Sequence, residues 1–389
     1  MFARATRPEP IDPDRNNPLP DDARSQALIR EFYRLLTLDQ LFSRAPSVRA
    51  PRFARRKAII EELWQIAPFE RSDPTPMPEI DAADLTLPRF LDLTQGYRRP
   101  LVIRGFGATS PAVLNWTTAA RLAERVGPVP ISAVEIGESS AYEANERGFT
   151  FHDMPFTEFV QRMHEAPLYL HNNGALTQQC PGLVEDLDLP RIRRTLYDPE
   201  GIWDAVFTAA FFIGTERVFS NLHSAPGGNF FLQIRGQKTW TLVDPALAPY
   251  FMPLTTRPFT NMRSLYGTFH TAPADSPLHR LPRVSVTINP GDLLFNAPWW
   301  WHEVINHGET IGCAMRHTNP PFERSPTWDN HRLFAALSVW PQLWALSVYD
   351  YSRARIGRLF GEQRDGTLRD AVSRRSEGII NRGRRRKGA

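Results

Sequence analysis

The stretch NLHSAPGGNFFLQIRGQKTW, Asn221 to Trp240, gathers residue types that serve a metal and an anion. His223 closes the run ERVFSNLH, and a second histidine, His302, follows GDLLFNAPWWW, a glycine turn, an apolar run and a proline bend. Each stands where a strand should give way to a loop. At a barrel mouth, two imidazoles on facing strands suit a divalent first-row metal. Taken singly, each reads more simply as a satisfied rim or core histidine, since histidine is intermediate in burial. Positions 223 and 225 share one face of a strand, as two ligands of a His/carboxylate/His facial triad must. Position 225 is alanine, whose methyl group binds no metal.

Lys238 shares a strand face with Trp240 and Leu242, which points its ammonium inward. A buried lysine needs a counter-charge. The carboxylate of an anionic cosubstrate beside the metal would supply one; a strand end reaching water is the alternative, and the apolar neighbours argue against it. No other acid is well placed to replace the missing ligand. Glu303 adjoins His302 and should face the other way, while Asp244 and Asp292 belong to turn-like sequence.

The elements that position these residues follow from periodicity. Leu28, Ile29, Phe32, Leu35 and Leu36 predict a helix starting at Asp22, and Ile59, Ile60, Leu63 and Trp64 predict another over 52–66. The prolines of 67–81 read as a linker. RPLVIRGF and PVPISAVEI read as strands. NWTTAARLAERVG reads as a helix with Thr117 near its cap and Gly127 at its end, and MPFTEFVQRM as a short helix with proline in its first turn. From Pro167 to Asn319 the runs are short, β-branched or aromatic, and broken by Gly, Pro and Asn, which predicts an antiparallel sandwich or barrel. The expected organisation is a disordered polar N-terminus (1–20), N-terminal helices and linker (21–78), a barrel (79–320), a C-terminal helical region (321–370) and a basic flexible tail (371–389).

Composition sets outer bounds. The chain has 389 residues, 42% hydrophobic, enough for one large core or two modest ones, and 35 prolines exclude dominance by long helices. Two cysteines, Cys180 and Cys313, without a C-x-x-C neighbour, point to neither a disulfide framework nor a structural zinc site, and fit a reducing compartment. The net charge of +4 is uneven: residues 371–389 hold seven basic residues against Glu377, so that segment carries +6 and the rest about −2. Such a tail could touch RNA, DNA or acidic lipid, but a solvated terminus is the simpler reading. The N-terminus lacks the apolar core of a signal peptide. No stretch reaches the roughly 18 apolar residues of a membrane span. LFAALSVWPQLWALSVYDY, residues 333–351, holds Pro341 and Gln342 and reads as a buried or dimerising helix pair. A cytoplasmic protein is expected.

The pieces RRPLVIRGF, NWTTAARLAERVG, MPFTEFVQRM, HSAPGGNFFLQIRGQKTWTLVDP and PGDLLFNAPWWWHEVIN, in this order across roughly 80–319, resemble the jumonji-type, cupin-like branch of iron(II)- and 2-oxoglutarate-dependent oxygenases. The resemblance implies a mainly β fold, a double-stranded β-helix (jelly-roll barrel) with flanking helices. It implies His223 and His302 as iron ligands and Lys238 as partner of the distal carboxylate of 2-oxoglutarate. Asn229 would line the same pocket, and Ser220 would match the hydroxyl that hydrogen-bonds the cosubstrate. The family's asparagine after the last histidine falls near Ala314, a departure. Ala225 is the larger one, because the family's first motif reads His-x-Asp and this chain reads His223-Ser224-Ala225.

Three readings follow. Chloride or another halide could take the vacated position, as in the halogenases of another branch, where a small residue replaces the carboxylate. The site could instead be a remnant, leaving a cupin-like binding module without metal. Or two histidines with cosubstrate and water could suffice for hydroxylation. The substrate class that fits is an amino acid, a peptide, or a small or carrier-bound natural-product-type molecule. The aromatic residues Phe230, Phe231, Trp240, Trp299 and Trp300 are expected to be barrel core or pocket wall, and the C-terminal helices to support a homodimer.

Overall fold

Two long strands hold the barrel together, and each is bent so that its two halves join different layers. The computed structural model describes residue 20 and residues 22–42, 51–136, 150–197, 203–225, 228–255 and 262–318. The strands are β1 (Thr75–Pro76), β2 (Glu79–Asp81), β3 (Leu101–Arg104), β4 (Pro130–Glu135), β5 (Thr150–Pro155), β6 (Leu168–Asn173) and β7 (Trp203–Gly214). They continue with β8 (Phe219–Ser224), β9 (Gly228–Val243), β10 (Leu254–Thr255), β11 (Met262–Arg263), β12 (Val284–Ile288), β13 (Leu293–Asn296) and β14 (Trp301–Thr318). All belong to one 14-stranded sheet whose main path runs β2-β3-β13-β9-β14-β7-β6-β4-β5.

Strand β9 pairs with β14 along its length, with β13 through its first half and with β12 through its second. Strand β14 likewise meets β8 near its start and β7 beyond its middle. The bend lies at Gly236, whose φ of 66° is left-handed, opposite an irregularity between His307 and Ile311 that contains Gly308. A Cβ at Gly236 would collide with the Glu309 carbonyl, so only glycine fits. The curled sheet is a jelly roll with flanking helices, as the resemblance implied. The strands themselves are not short: glycines that read as turns are bends inside continuous strands of 16 and 18 residues.

The helices are α1 (Ala23–Phe42), α2 (Phe53–Ile66), α3 (Leu87–Leu93), α4 (Pro111–Asn115), α5 (Ala119–Val126), α6 (Phe156–Arg162), α7 (Ala175–Gln179), α8 (Leu183–Asp186) and α9 (Leu189–Leu196). Four details depart from the expectations. Helix α5 is capped by Thr118, not Thr117; its hydroxyl accepts from the Arg121 N–H. Pro155 is the N-cap of α6, one residue before its first turn. The proline-rich stretch 67–81 contributes β1 and β2, with Met77 and Ile80 in the core. Proline is tolerated there because β1 pairs only with β12, at an edge. Helices α7–α9 interrupt the region read as continuous β structure. Their burial of Leu183, Leu189, Ile192 and Leu196 in the main core explains them.

Two apolar clusters result. The larger fills the barrel and the space under α3–α9. The second joins Phe32, Leu36, Ile59 and Leu63 of α1 and α2 to the 3-10 turn at Pro245–Phe251 and to Trp301. Among the described residues, no helix is long and apolar enough to cross a membrane. The expected helical region 321–370, its dimer role, the basic tail 371–389 and nearly all of the N-terminus 1–20 lie outside the described residues.

Candidate functional site

His223 near the end of β8 and His302 near the start of β14 are register partners. Cross-strand partners present their side chains on one face, and the two ring centroids are 4.2 Å apart. With metal–nitrogen bonds of about 2.1 Å, imidazoles sharing one ion at right angles sit roughly 4–5 Å apart. The ring separation falls within that range.

The tautomers fit as well. Nδ1 of His223 lies 2.7 Å from the Asn221 carbonyl, and Nδ1 of His302 lies 2.9 Å from the Trp300 carbonyl. A carbonyl only accepts, so each Nδ1 carries the proton and each Nε2 keeps its lone pair, the state of a metal-ligating histidine. Burial keeps both rings neutral: the pKa of His302 falls to about 4, and that of His223 lies well below its ordinary value, with His302 adding to the effect. Trp240 stacks on His302 at 5.5 Å between centroids.

Among the described residues, no third histidine, cysteine or acid joins them. Ala225 follows β8, its carbonyl accepting the Trp299 N–H at 2.8 Å, while the Ser224 hydroxyl donates to the Trp299 carbonyl at 2.7 Å. These bonds tie the two histidine loops together and hold Trp299 at a φ of 67°, a strain on the order of 1–3 kcal/mol for a bulky residue. The three acids weighed as substitutes are engaged elsewhere. Glu303 accepts from the Phe269 N–H, Asp244 from the Ala246 N–H, and Asp292 pairs with Arg104 at 2.7 Å. Among the described residues, no group of three or more histidines, cysteines and acids converges on a common point.

Lys238 is fully buried, as are its strand-face neighbours Trp240 and Leu242. Its ammonium donates to Oδ1 of Asn306 at 2.5 Å and lies 5.6 Å from the Tyr169 ring centroid. Desolvation lowers its pKa to about 7. Ser220 is hydrogen-bonded to Tyr169, and Oδ1 of Asn229 is buried with no hydrogen-bond partner. An amide oxygen left in that state costs on the order of 1–3 kcal/mol. Together these groups can accept a carboxylate-bearing molecule: Lys238 supplies the charge and Tyr169 and Ser220 supply hydroxyls, while the orphaned Oδ1 of Asn229, an acceptor, suits a donor group in the same pocket.

Several residues here escaped sequence reading. Tyr169 and His171 come from β6, and burial followed by the charges of Arg263, Arg316 and Lys238 drives the His171 pKa to about 3. The run PLYLHNN carried a signal, two ring side chains at i and i+2, but nothing tied it to residues fifty positions away. Asn306 occupies the place beside Lys238, whereas Ala314 is a buried core residue. Arg263 and Arg316 also act on the histidines. Of the aromatic residues near the motifs, Trp240 lies against a site histidine. Phe230 and Phe231 fill the core, and Trp300 donates its ring N–H to the Arg98 carbonyl.

A jelly-roll barrel with paired imidazoles on adjacent strands and a buried lysine across from them is the architecture of cupin-like oxygenases. The chain belongs to the cupin-like domain family, whose model matches residues 89–321. It is similar to tRNA wybutosine-synthesizing protein 5 of Mus musculus, 22% identical over 310 residues that cover 74% of this chain and 91% of the relative. The proteins of the same name from Danio rerio and Homo sapiens are 25% and 21% identical. They cover 57% and 76% of this chain, and 69% and 94% of their own lengths.

Proposed function

We propose that the chain is an iron(II)- and 2-oxoglutarate-dependent oxidoreductase whose metal has two protein ligands, with an exogenous anion, chloride foremost, in the position beside Ala225. The observation that carries this reading is the register-matched pair His223 and His302, together with a buried lysine that has no carboxylate partner among the described residues. Each ring has Nδ1 fixed by its own backbone carbonyl so that Nε2 keeps its lone pair, that of His302 lying 3.5 Å from the Asn296 amide. Iron(II) with 2-oxoglutarate would supply dioxygen activation coupled to oxidation of a substrate C–H bond. The protein's part is to orient. The two imidazoles would fix the ion, Lys238 with Tyr169 and Ser220 would hold the cosubstrate's distal carboxylate, Asn229 would line the same pocket, and Trp240 shields one face of His302.

Loss of the carboxylate leaves one positive charge on the metal unanswered. A unit pair at 4 Å is worth on the order of 4 kcal/mol at an effective dielectric of 20, an attraction that offsets the desolvation of an anion there. A methyl group leaves that space open. With a halide in the position, halogenation is the outcome; with water, hydroxylation. The relatives' name adds a tRNA nucleoside to the amino-acid, peptide and small-molecule substrates already considered.

The second reading, a cupin-like binding module without metal, is favoured by the same alanine and by the cations around the imidazoles, which oppose a dication. Anaerobic titration separates the two. Iron(II) plus 2-oxoglutarate should develop a weak charge-transfer band in the visible region and, on admission of oxygen, turn over the cosubstrate. No band and no turnover, with or without chloride, would leave the binding module standing.

A further inference from the structure

Two guanidinium groups, one on β11 and one on β14, stand beside this site. Arg263 of β11 is the register partner of His223, and Arg316 of β14 is the register partner of Asn229, so each shares a face with a site residue. Their charges are felt by the rings: Arg263 acts on His223 and His171, Arg316 on His302 and His171. Both are partly buried, and desolvation lowers each guanidinium to a pKa of about 10. Among the described residues, no carboxylate contributes to the shifts of His171, His223, His302, Lys238 or Arg316.

The cosubstrate cradle does not account for Arg263. On β8, Ser220 pairs at the level of Val304, two residues further along β14 than His302, and Lys238 pairs at Asn306, further still. Arg263 stands level with His223 itself. A spherical halide beside Ala225 needs no planar fork, whereas two guanidiniums match the oxygen pairs of a carboxylate or phosphate.

We infer that Arg263 and Arg316 form a subsite for an oxyanion, carboxylate or phosphate, carried by the substrate and held beside the histidine pair. That the anion belongs to a substrate rests on the enzymatic reading above; that the subsite binds an oxyanion does not.

The test uses the full chain, with and without iron(II) and 2-oxoglutarate under anaerobic conditions, and acetate, inorganic phosphate and chloride as probes. Phosphate or acetate should raise the melting temperature and bind about tenfold or more weakly in Arg263→Gln and in Arg316→Gln, the loss expected for one charge-assisted contact. Affinity for 2-oxoglutarate should stay within about twofold of wild type. Arg316→Lys, which keeps the charge and loses the fork, should fall between and covers the case in which Arg316→Gln fails to fold. Unchanged phosphate and acetate binding in both variants overturns the subsite. So does loss of 2-oxoglutarate affinity in Arg316→Gln, which would move that group to the cosubstrate, or chloride displacing phosphate at equal concentration. If iron and 2-oxoglutarate fail to bind, the enzymatic reading falls, and the phosphate titration of the unloaded chain still decides the subsite.

Discussion

His223 and His302 face each other across one register step of an antiparallel pair, and each ring is set by a hydrogen bond to the carbonyl two residues before it. One local device, used twice, puts the proton of each ring on Nδ1 and leaves the Nε2 lone pair of each free of it. His302→Ala should therefore abolish metal-dependent stabilisation while leaving the circular dichroism spectrum of the β structure intact. The affinity loss should exceed the roughly 10–100-fold typical of removing an outer partner. Cobalt(II) titration measures it, and an unchanged binding curve would show that the rings serve no metal.

Ala225→Asp adds the acid that this position lacks. Metal affinity should rise by about tenfold or more, and any dependence of the metal–cosubstrate complex on chloride should vanish, because the new carboxylate takes the anion's place. Products should shift from halogenated to hydroxylated. Chloride dependence that persists in this variant would place the halide elsewhere.

Lys238 gives the site a pH dependence with a definite sign. Its folded pKa of about 7 lies below the ordinary lysine value of about 10.4, through burial. The group is thus charged in the free protein only near and below neutrality, and a cosubstrate dianion must recruit a proton to bind at higher pH. Affinity for 2-oxoglutarate should fall from pH 7 to 9, by up to about tenfold per unit. The folded state binds fewer protons than the unfolded one across that window, so ligand-free stability should rise with pH over the same range. Lys238→Met should flatten both curves. Calorimetric titration at three pH values is the check, and affinity that climbs with pH would reverse the assignment.

What the sequence disclosed of this site was whatever lay within one strand. Lys238, Trp240 and Leu242 share a face by simple alternation, and all three are buried. His223 and Ala225 are two apart, and the absent ligand is visible at once. Tyr169, His171, Arg263 and Arg316 were not legible, because each enters through a pairing between strands distant in the chain. Arg316 sits between the apolar AM and a polar end, where it reads as a surface residue. Gly236 and Gly308 misled in another way: the residue type that marks a turn also marks a bend inside a strand, and only the partner strand separates the two. Asn306 was not legible either, because only the β9–β14 pairing brings it beside Lys238.

Away from the site, Asp39 binds helix α1 to α2. Its carboxylate meets Arg56 at 3.1 Å and Arg52 at 3.0 Å, and the side chains of Asp39 and Arg56 are both 0% exposed. Isolated, a guanidinium at such a position bears its full desolvation cost, which already depresses the pKa of Arg56. Asp39→Ala should therefore destabilise the protein by about 3–5 kcal/mol, the penalty for stranding one partner of a buried pair. Asp39→Asn, which keeps hydrogen-bonding capacity, should cost less. The helices pack on the 3-10 turn at Pro245–Phe251 and on Trp301, next to Trp300 and His302. Loosening them should thus weaken metal-dependent stabilisation as well as folding, and chemical denaturation with and without cobalt(II) measures both. A variant with full stability would show that the helix pair holds by apolar packing alone.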